Sequence, residues 1–290
     1  MSDWFIDFPS SIKLNISDPI DRFIDYLIRE WDSFFDAITK GLRILLNSIG
    51  YVVDRIPWWL LIIIVFVLTW RMSKKIGKSI LYSVLLFSIG AMGLWSMMNT
   101  TLTLIIASVI ISIVIGFPIG ILVSASDKLN SFVRPILDTM QTMPSFVYLI
   151  PAAMLLGLGN VPAVLATTIY AIPPLIRLTS NGIRQVDREV VEAATAFGST
   201  KWQSLIKVKI PQAMPTIMTG VNQTIMMAIS MVVTGSMIGV TGLGQEVLIS
   251  INRLQAGRGF SAGIAIVIIA IIIDRLTQGI IEKGEAAIEE

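Results

Sequence analysis

Three long stretches without a single charged side chain constrain this chain more than anything else in it. Ser79–Ser126, Thr139–Ile176 and Pro211–Gln245 contain no Asp, Glu, Lys or Arg. A helix that crosses a bilayer needs about 20 mostly apolar residues, so each of the first two stretches has room for two crossings. Charged residues make up 14% of the chain and hydrophobic ones 54%, against roughly 25% charged in soluble domains. The fold class that follows is an all-α polytopic membrane protein.

With Pro, Gly and polar clusters taken as breaks, seven spans are expected: 57–71, 79–96, 101–123, 141–157, 161–177, 211–236 and 259–279. Trp58, Trp59 and Trp70 bracket the first, as interfacial aromatics do. An odd number puts the termini on opposite faces. One set of connections holds 14 of the 22 basic residues, from Arg71 through Lys207 and Lys209 to Lys283, whereas the opposite short loops hold only Arg253 and Arg258. Basic loops stay in the cytoplasm. The C-terminus is therefore expected inside and the N-terminus outside, in a multi-pass cytoplasmic-membrane protein. The first residues lack a basic stretch ahead of an apolar one, so no signal peptide is expected.

The tail before the spans is expected to hold an amphipathic helix, with Asp18 as N-cap and Pro19 at the first helical position. Ile20, Phe23, Ile24, Leu27, Trp31, Phe34, Phe35 and Ile38 form one apolar stripe. Such a helix can lie in the membrane interface or pack on protein; the sequence leaves both open.

The chain has no Cys and no His. Without them there is no disulfide, no imidazole metal ligand and no histidine general base. A net charge of +2 gives no reason to expect nucleic acid. An intramembrane enzyme would need paired carboxylates or a Ser–Lys pair at one depth, and the spans offer neither. No catalytic residue and no metal site are expected.

The polar passage "EVVEAATAFGSTKWQSLIKVKIPQAMP" stands out between apolar neighbours. Asp187 is expected to cap a helix that runs to Phe197, and Gly198 suits the left-handed position that closes it. Thr200 and Gln203 have the spacing of a capping box that opens a second helix, and Pro211 is expected to end it. A helix–glycine–helix of this kind is often just a connector. The full pattern is more specific: Glu192-Ala193-Ala194, three residues, Gly198, nine residues, Val208, one residue, Ile210, Pro211. It resembles the cytoplasmic EAA loop of type I ABC-importer permeases, with Val and Ile in place of Ile and Leu. "DTMQTMPSFVYLIP", "AIPPLIRLT", "VTGLGQEV" and "AGIAIVIIAIIIDRLTQ" are similar to the osmoprotectant branch, which imports glycine betaine, proline betaine, carnitine or choline.

The resemblance covers about residues 100–280. It implies a tail at 1–56, two accessory spans at 57–98, a five-helix permease core at 99–281 carrying the loop at 187–211, and a cytoplasmic tail at 282–290. It implies that Glu192, Ala193, Ala194, Phe197, Gly198 and Pro211 form the coupling helix that docks on an ATPase. It further implies a second permease copy, two ATP-binding subunits that hold ATP and Mg, and an extracytoplasmic solute-binding protein, with no cofactor in this chain. A pathway for solute calls for interrupted helices with soft or polar side chains. Met143, Tyr148, Asn222, Gln223, Met226, Met227 and Ser230 are the candidates, Tyr148 for a cation–π contact and the methionines for their flexibility. For each of them packing, or an interhelical hydrogen bond, is the competing reading. A permease for amino acids or other small solutes, and a scaffold without transport, remain as alternatives.

Overall fold

The computed structural model describes residues 15–289, with side chains described through Ile281. All regular structure among them is helical. In order come α1 (Ser17–Glu30), α2 (Asp32–Arg55), α3 (Trp58–Ser73), α4 (Ile76–Ala91), α5 (Trp95–Ser124), α6 (Asp127–Thr142) and α7 (Ser145–Leu156). After these follow α8 (Asn160–Arg184), α9 (Arg188–Ala196), α10 (Lys201–Ser204), α11 (Ile210–Gly235), α12 (Leu243–Asn252) and α13 (Ala256–Glu289).

The centre is the trio α5, α8 and α11, and small residues explain why it packs so closely. Gly116 and Gly120 sit one helical turn apart on α5 and face α8. A methyl group on Gly120 would lie 2.6 Å from Thr179 Cβ, and one on Gly116 2.8 Å from Ile172 Cγ1. On the other side of α8, Gly220 of α11 leaves only 3.1 Å between its missing Cβ and Leu178 Cβ. Lipid supplies no hydrophobic drive between helices, so close backbone approach at small residues is what holds membrane bundles together. Two buried hydroxyls in this centre turn back on their own helices: Ser108 donates to Leu104 O at 2.9 Å and Thr168 to Val164 O at 2.8 Å. A polar side chain is thereby buried without leaving its proton unpaired.

By length and composition, α5, α8, the run Lys201–Ile238 and the Ala256–Ile281 part of α13 each suffice to cross a membrane. The pairs α2–α3 and α6–α7, bent by 91° and 94°, raise the number to six if each pair is one broken span. The expected span at 141–157 is realised only by α7, 12 residues long. Pro144 forces an extended residue before it, and Gly157 stops it at a φ of +82°.

The tail differs from expectation. Helix α1 begins at Ser17 with Ile16 in the N-cap position and no side-chain cap; Asp18 is inside the first turn and accepts from Asn15 Nδ2 at 2.7 Å. The single stripe breaks at Trp31 into two helices. Ile24 is buried, while Ile20, Phe23, Trp31 and Phe34 are exposed. Beyond Ile38 the chain continues as α2 to Arg55, packing Leu42, Leu45, Leu46 and Ile49 against the central cluster. The connection after α11 also forms a helix, α12, whose buried Glu246 receives a two-pronged bond from Arg258 at the start of α13.

Pro211 does not end a helix. A π turn at Leu205–Lys209 precedes it, and the axis continues from Lys201 to Ile238 as one 38-residue run. The wider π turn makes room for the proline ring, and Pro211 near the start of α11 removes an N–H at the position where the ladder is already locally reset.

Candidate functional site: a helical hairpin joined to a membrane helix

The hairpin forms as its residue types dictate. Asp187 accepts from Glu189 N at 2.9 Å and caps α9. At the other end Gly198 N donates to Thr195 O at 2.9 Å and Ser199 N to Ala194 O at 3.1 Å, the bond pair of a Schellman cap. Gly198 takes a φ of +83°, which a side chain with a Cβ resists. Thr200 accepts from Gln203 N at 3.2 Å and its own N donates to Gln203 Oε1 at 2.9 Å. Both ends of the turn are thus fixed locally, without help from packing.

Inward, the hairpin rests on the bundle through Val186, Leu205 and Ile210, which pack on Leu175, Ile183, Ala213 and Ile217. Between it and the ends of α5 and α8 lies a cleft of about 920 Å³, lined by Glu192, Arg184, Arg188, Lys201 and Trp202 among others. Arg184 spans from this cleft to α6, donating to the carboxylate of Asp127. That hydrogen bond, and the charge behind it, hold the Asp127 carboxyl below its ordinary value of 3.8. A parallel pair joins Arg177 of α8 to Asp138 of α6. Arg134 lies four residues from Asp138 on α6, but the crossing of α6 over α8 puts Arg177 beside that carboxylate.

Outward, the hairpin leaves apolar surface uncovered. Phe197 is 93% exposed and Trp202 67%, with Val190 and Ile206 also exposed. Ala193 is exposed and Ala194 half-buried, so a low surface lies beside two large rings. Sequence reasoning missed Trp202, Val190 and Ile206. A tryptophan in an otherwise charged helix was the available signal, because exposed patches of this kind mark interaction surfaces.

The pathway candidates separate into two groups. Gln223, Met226 and Ser230 are exposed on α11 at helical spacing, and Thr219 extends the same face. Asn222 turns the other way: its Nδ2 donates to Asp274 Oδ1 at 2.9 Å and its Oδ1 accepts from Thr277, tying α11 to α13. Asp274 also accepts from Gln278 at 2.8 Å. Met227 packs against the central cluster. On the α6–α7 bend, Met143 and Tyr148 are half-buried. The Tyr148 hydroxyl donates to Met140 O, and its ring meets Tyr170 edge-on at 5.8 Å. Among the described residues no group of three or more Asp or Glu side chains is placed to hold a metal ion.

The model of the family "binding-protein-dependent transport system inner membrane component" matches residues 108–283. The chain belongs to this family. The permease is 47% identical over 281 residues to the glycine betaine/carnitine transport permease protein GbuB of Listeria monocytogenes, covering 96% of this chain and 99% of that one. To the glycine betaine transport system permease protein OpuAB of Bacillus subtilis it is 47% identical, covering 94% and 97%. Against the glycine betaine/proline betaine permease protein ProW of Escherichia coli the identity is 42%, covering 96% and 82%. In fold the permease is similar to the MetNI methionine ABC transporter in an inward-facing conformation, with a TM-score of 0.60 at 23% identity, covering 66% of this chain and 95% of that one. The permease is a transport subunit and not an enzyme.

Proposed function

We propose that this chain is the membrane subunit of an ATP-driven importer of a betaine-type compatible solute, working as a pair with two ATPase subunits and an external binding protein. The observation that carries the mechanism is the unbroken run from Lys201 to Ile238. One end of it belongs to the hairpin, and the other carries the uncovered face Thr219, Gln223, Met226, Ser230. Closure of the ATPase pair on Ala193, Phe197 and Trp202 pushes the hairpin. The push reaches the polar face of α11 along one helical run, which carries the π turn, Pro211 and Pro215 between the hairpin and Thr219.

Thr219 and Ser230 donate back to Pro215 O and Met226 O, so the Gln223 amide is the group on this face that lipid would leave unsatisfied, and a water-filled path or a second copy covers it. The face carries no charge. A zwitterion such as glycine betaine is held there by weak dipolar contacts, whereas a ring of like charges would bind one sign of ion too firmly to release it. The names of these relatives specify glycine betaine, carnitine and proline betaine as what they transport. An amino-acid substrate has only the fold-level likeness to the methionine transporter behind it.

The orientation that goes with this reading puts the hairpin and the C-terminus in the cytoplasm and α1 outside, its exposed Phe23, Trp31 and Phe34 against the outer membrane interface. The test is uptake of radiolabelled glycine betaine into vesicles that hold the chain with its co-purifying subunits. Betaine uptake dependent on ATP and binding protein, competed by carnitine or proline betaine, supports the proposal. Uptake of methionine and not betaine would replace it.

A further inference from the structure

The bend between α2 and α3 borders an open cavity of about 590 Å³ at the ends of four helices, lined by Trp58, Phe87 and Trp95 together with Asp54 and Asn99. It lies wholly outside the stretch that matches the family, 108–283. Trp58 and Phe87 stand 6.2 Å apart, centroid to centroid, at a 58° tilt. Asn99 is only 7% exposed, and its Nδ2 donates to Asp54 Oδ1 at 3.1 Å. A carboxylate can only accept, so the amide nitrogen must be the atom that faces Asp54. The amide oxygen is then the free atom, and Asn99 Oδ1 is buried with no partner. Buried acceptors without a donor are uncommon in folded proteins. Among the described residues no Lys or Arg lines the cavity. Arg55, next in sequence to Asp54, lies over the Tyr51 ring at 4.4 Å instead.

Three aromatic side chains, one carboxylate and one unmet acceptor make a site for a cation that carries N–H donors. We propose that this cavity binds a protonated primary amine, with Asp54 as counter-charge, the rings of Trp58, Phe87 and Trp95 as cation–π walls, and Asn99 Oδ1 accepting an N–H. A trimethylammonium group satisfies the rings and the carboxylate but offers nothing to Asn99. The amine can belong to a free small molecule or to the ethanolamine headgroup of a lipid, since the cavity sits at helix ends, at the depth where tryptophans and headgroups meet.

The experiment places the full-length protein with its subunits in nanodiscs of equal parts phosphatidylethanolamine and phosphatidylcholine and counts retained lipids by native mass spectrometry. In parallel, ethanolamine and tetramethylammonium are titrated calorimetrically. Retention of phosphatidylethanolamine over phosphatidylcholine, reduced about tenfold in Asp54→Asn, supports the headgroup source. Saturable binding of ethanolamine without lipid retention, again lost in Asp54→Asn, supports the free amine. Phe87→Leu, which keeps an apolar side chain but removes a ring, is expected to weaken either binding severalfold and guards against a misfolded Asp54 variant. The proposal is overturned if the trimethylated probes bind as well as the amines. Absence of amine binding to the unmodified protein, or binding that Asp54→Asn leaves unchanged, overturns it equally.

Discussion

Replacing Gly198 with Val isolates the hairpin turn from everything else in the molecule. The residue has a φ of +83° and an added Cβ would meet nothing within 4 Å, so the whole effect is backbone strain and none of it is packing. A left-handed residue other than glycine costs about 1–2 kcal/mol, and a β-branched one lies at the upper end of the range of about 1–3 kcal/mol for strained residues. At about 2 kcal/mol the closed turn loses roughly a factor of 30 in population, at tenfold per 1.4 kcal/mol. The bundle itself is untouched, because its glycine contacts lie elsewhere. The expected result is normal insertion and yield with solute-stimulated ATP hydrolysis of the reconstituted complex reduced about tenfold or more. Asn tolerates the left-handed region, so Gly198→Asn should keep most of the stimulation. Full stimulation in the Val variant would refute the reasoning. So would an equal loss in Asn and Val, since that would assign the effect to side-chain bulk at the contact.

Three further outcomes are expected. Gly120→Ala drives a methyl group to 2.6 Å from Thr179 Cβ, so thermal melts in detergent should fall by an amount corresponding to about 1–3 kcal/mol of overpacking, and a melt unchanged from the parent would show that α5 and α8 can part freely. Arg258→Gln should lower the melting temperature more than Glu246→Gln, because Glu246 is 5% exposed and would be left as an unpaired buried carboxylate, whereas an orphaned Arg258 reaches water. Asp127, held below 3.8 by Arg184, stabilises the α6–α8 contact above its ordinary value and loses that contribution as the pH falls through the depressed one. In a carbon-13 carboxyl titration the Asp127 midpoint should therefore rise towards 3.8 in Arg184→Gln, and an unmoved midpoint would exclude the pair.

The hairpin was readable because its signals are local. Asp187, Gly198, Thr200 and Gln203 each act on backbone groups within three residues, so residue type and spacing suffice. Pro211 misled for the opposite reason: its effect depends on the π turn before it, which no residue between Leu205 and Lys209 announces. The apolar stripe of the tail suggested one helix, but the break at Trp31 and the docking of Leu42, Leu45, Leu46 and Ile49 depend on a surface offered by α5, far away in sequence. The glycine pair at Gly116 and Gly120 was visible as a small-residue motif in an apolar helix and was overlooked. Among pathway candidates, helix periodicity turns Asn222 and Gln223 about 100° apart but does not say which of them meets another helix. Only the contact of Asn222 with Asp274 separates them.

Since the chain has no cysteine, Phe197→Cys gives a single reporter at the most exposed large apolar side chain of the hairpin, and its labelling by a membrane-impermeant maleimide tests the relay most directly. Inside-out membrane vesicles should label this position, intact cells should not, and bound ATPase subunits should protect it. Labelling from the outside, or a rate that the ATPase leaves unchanged, would contradict the account.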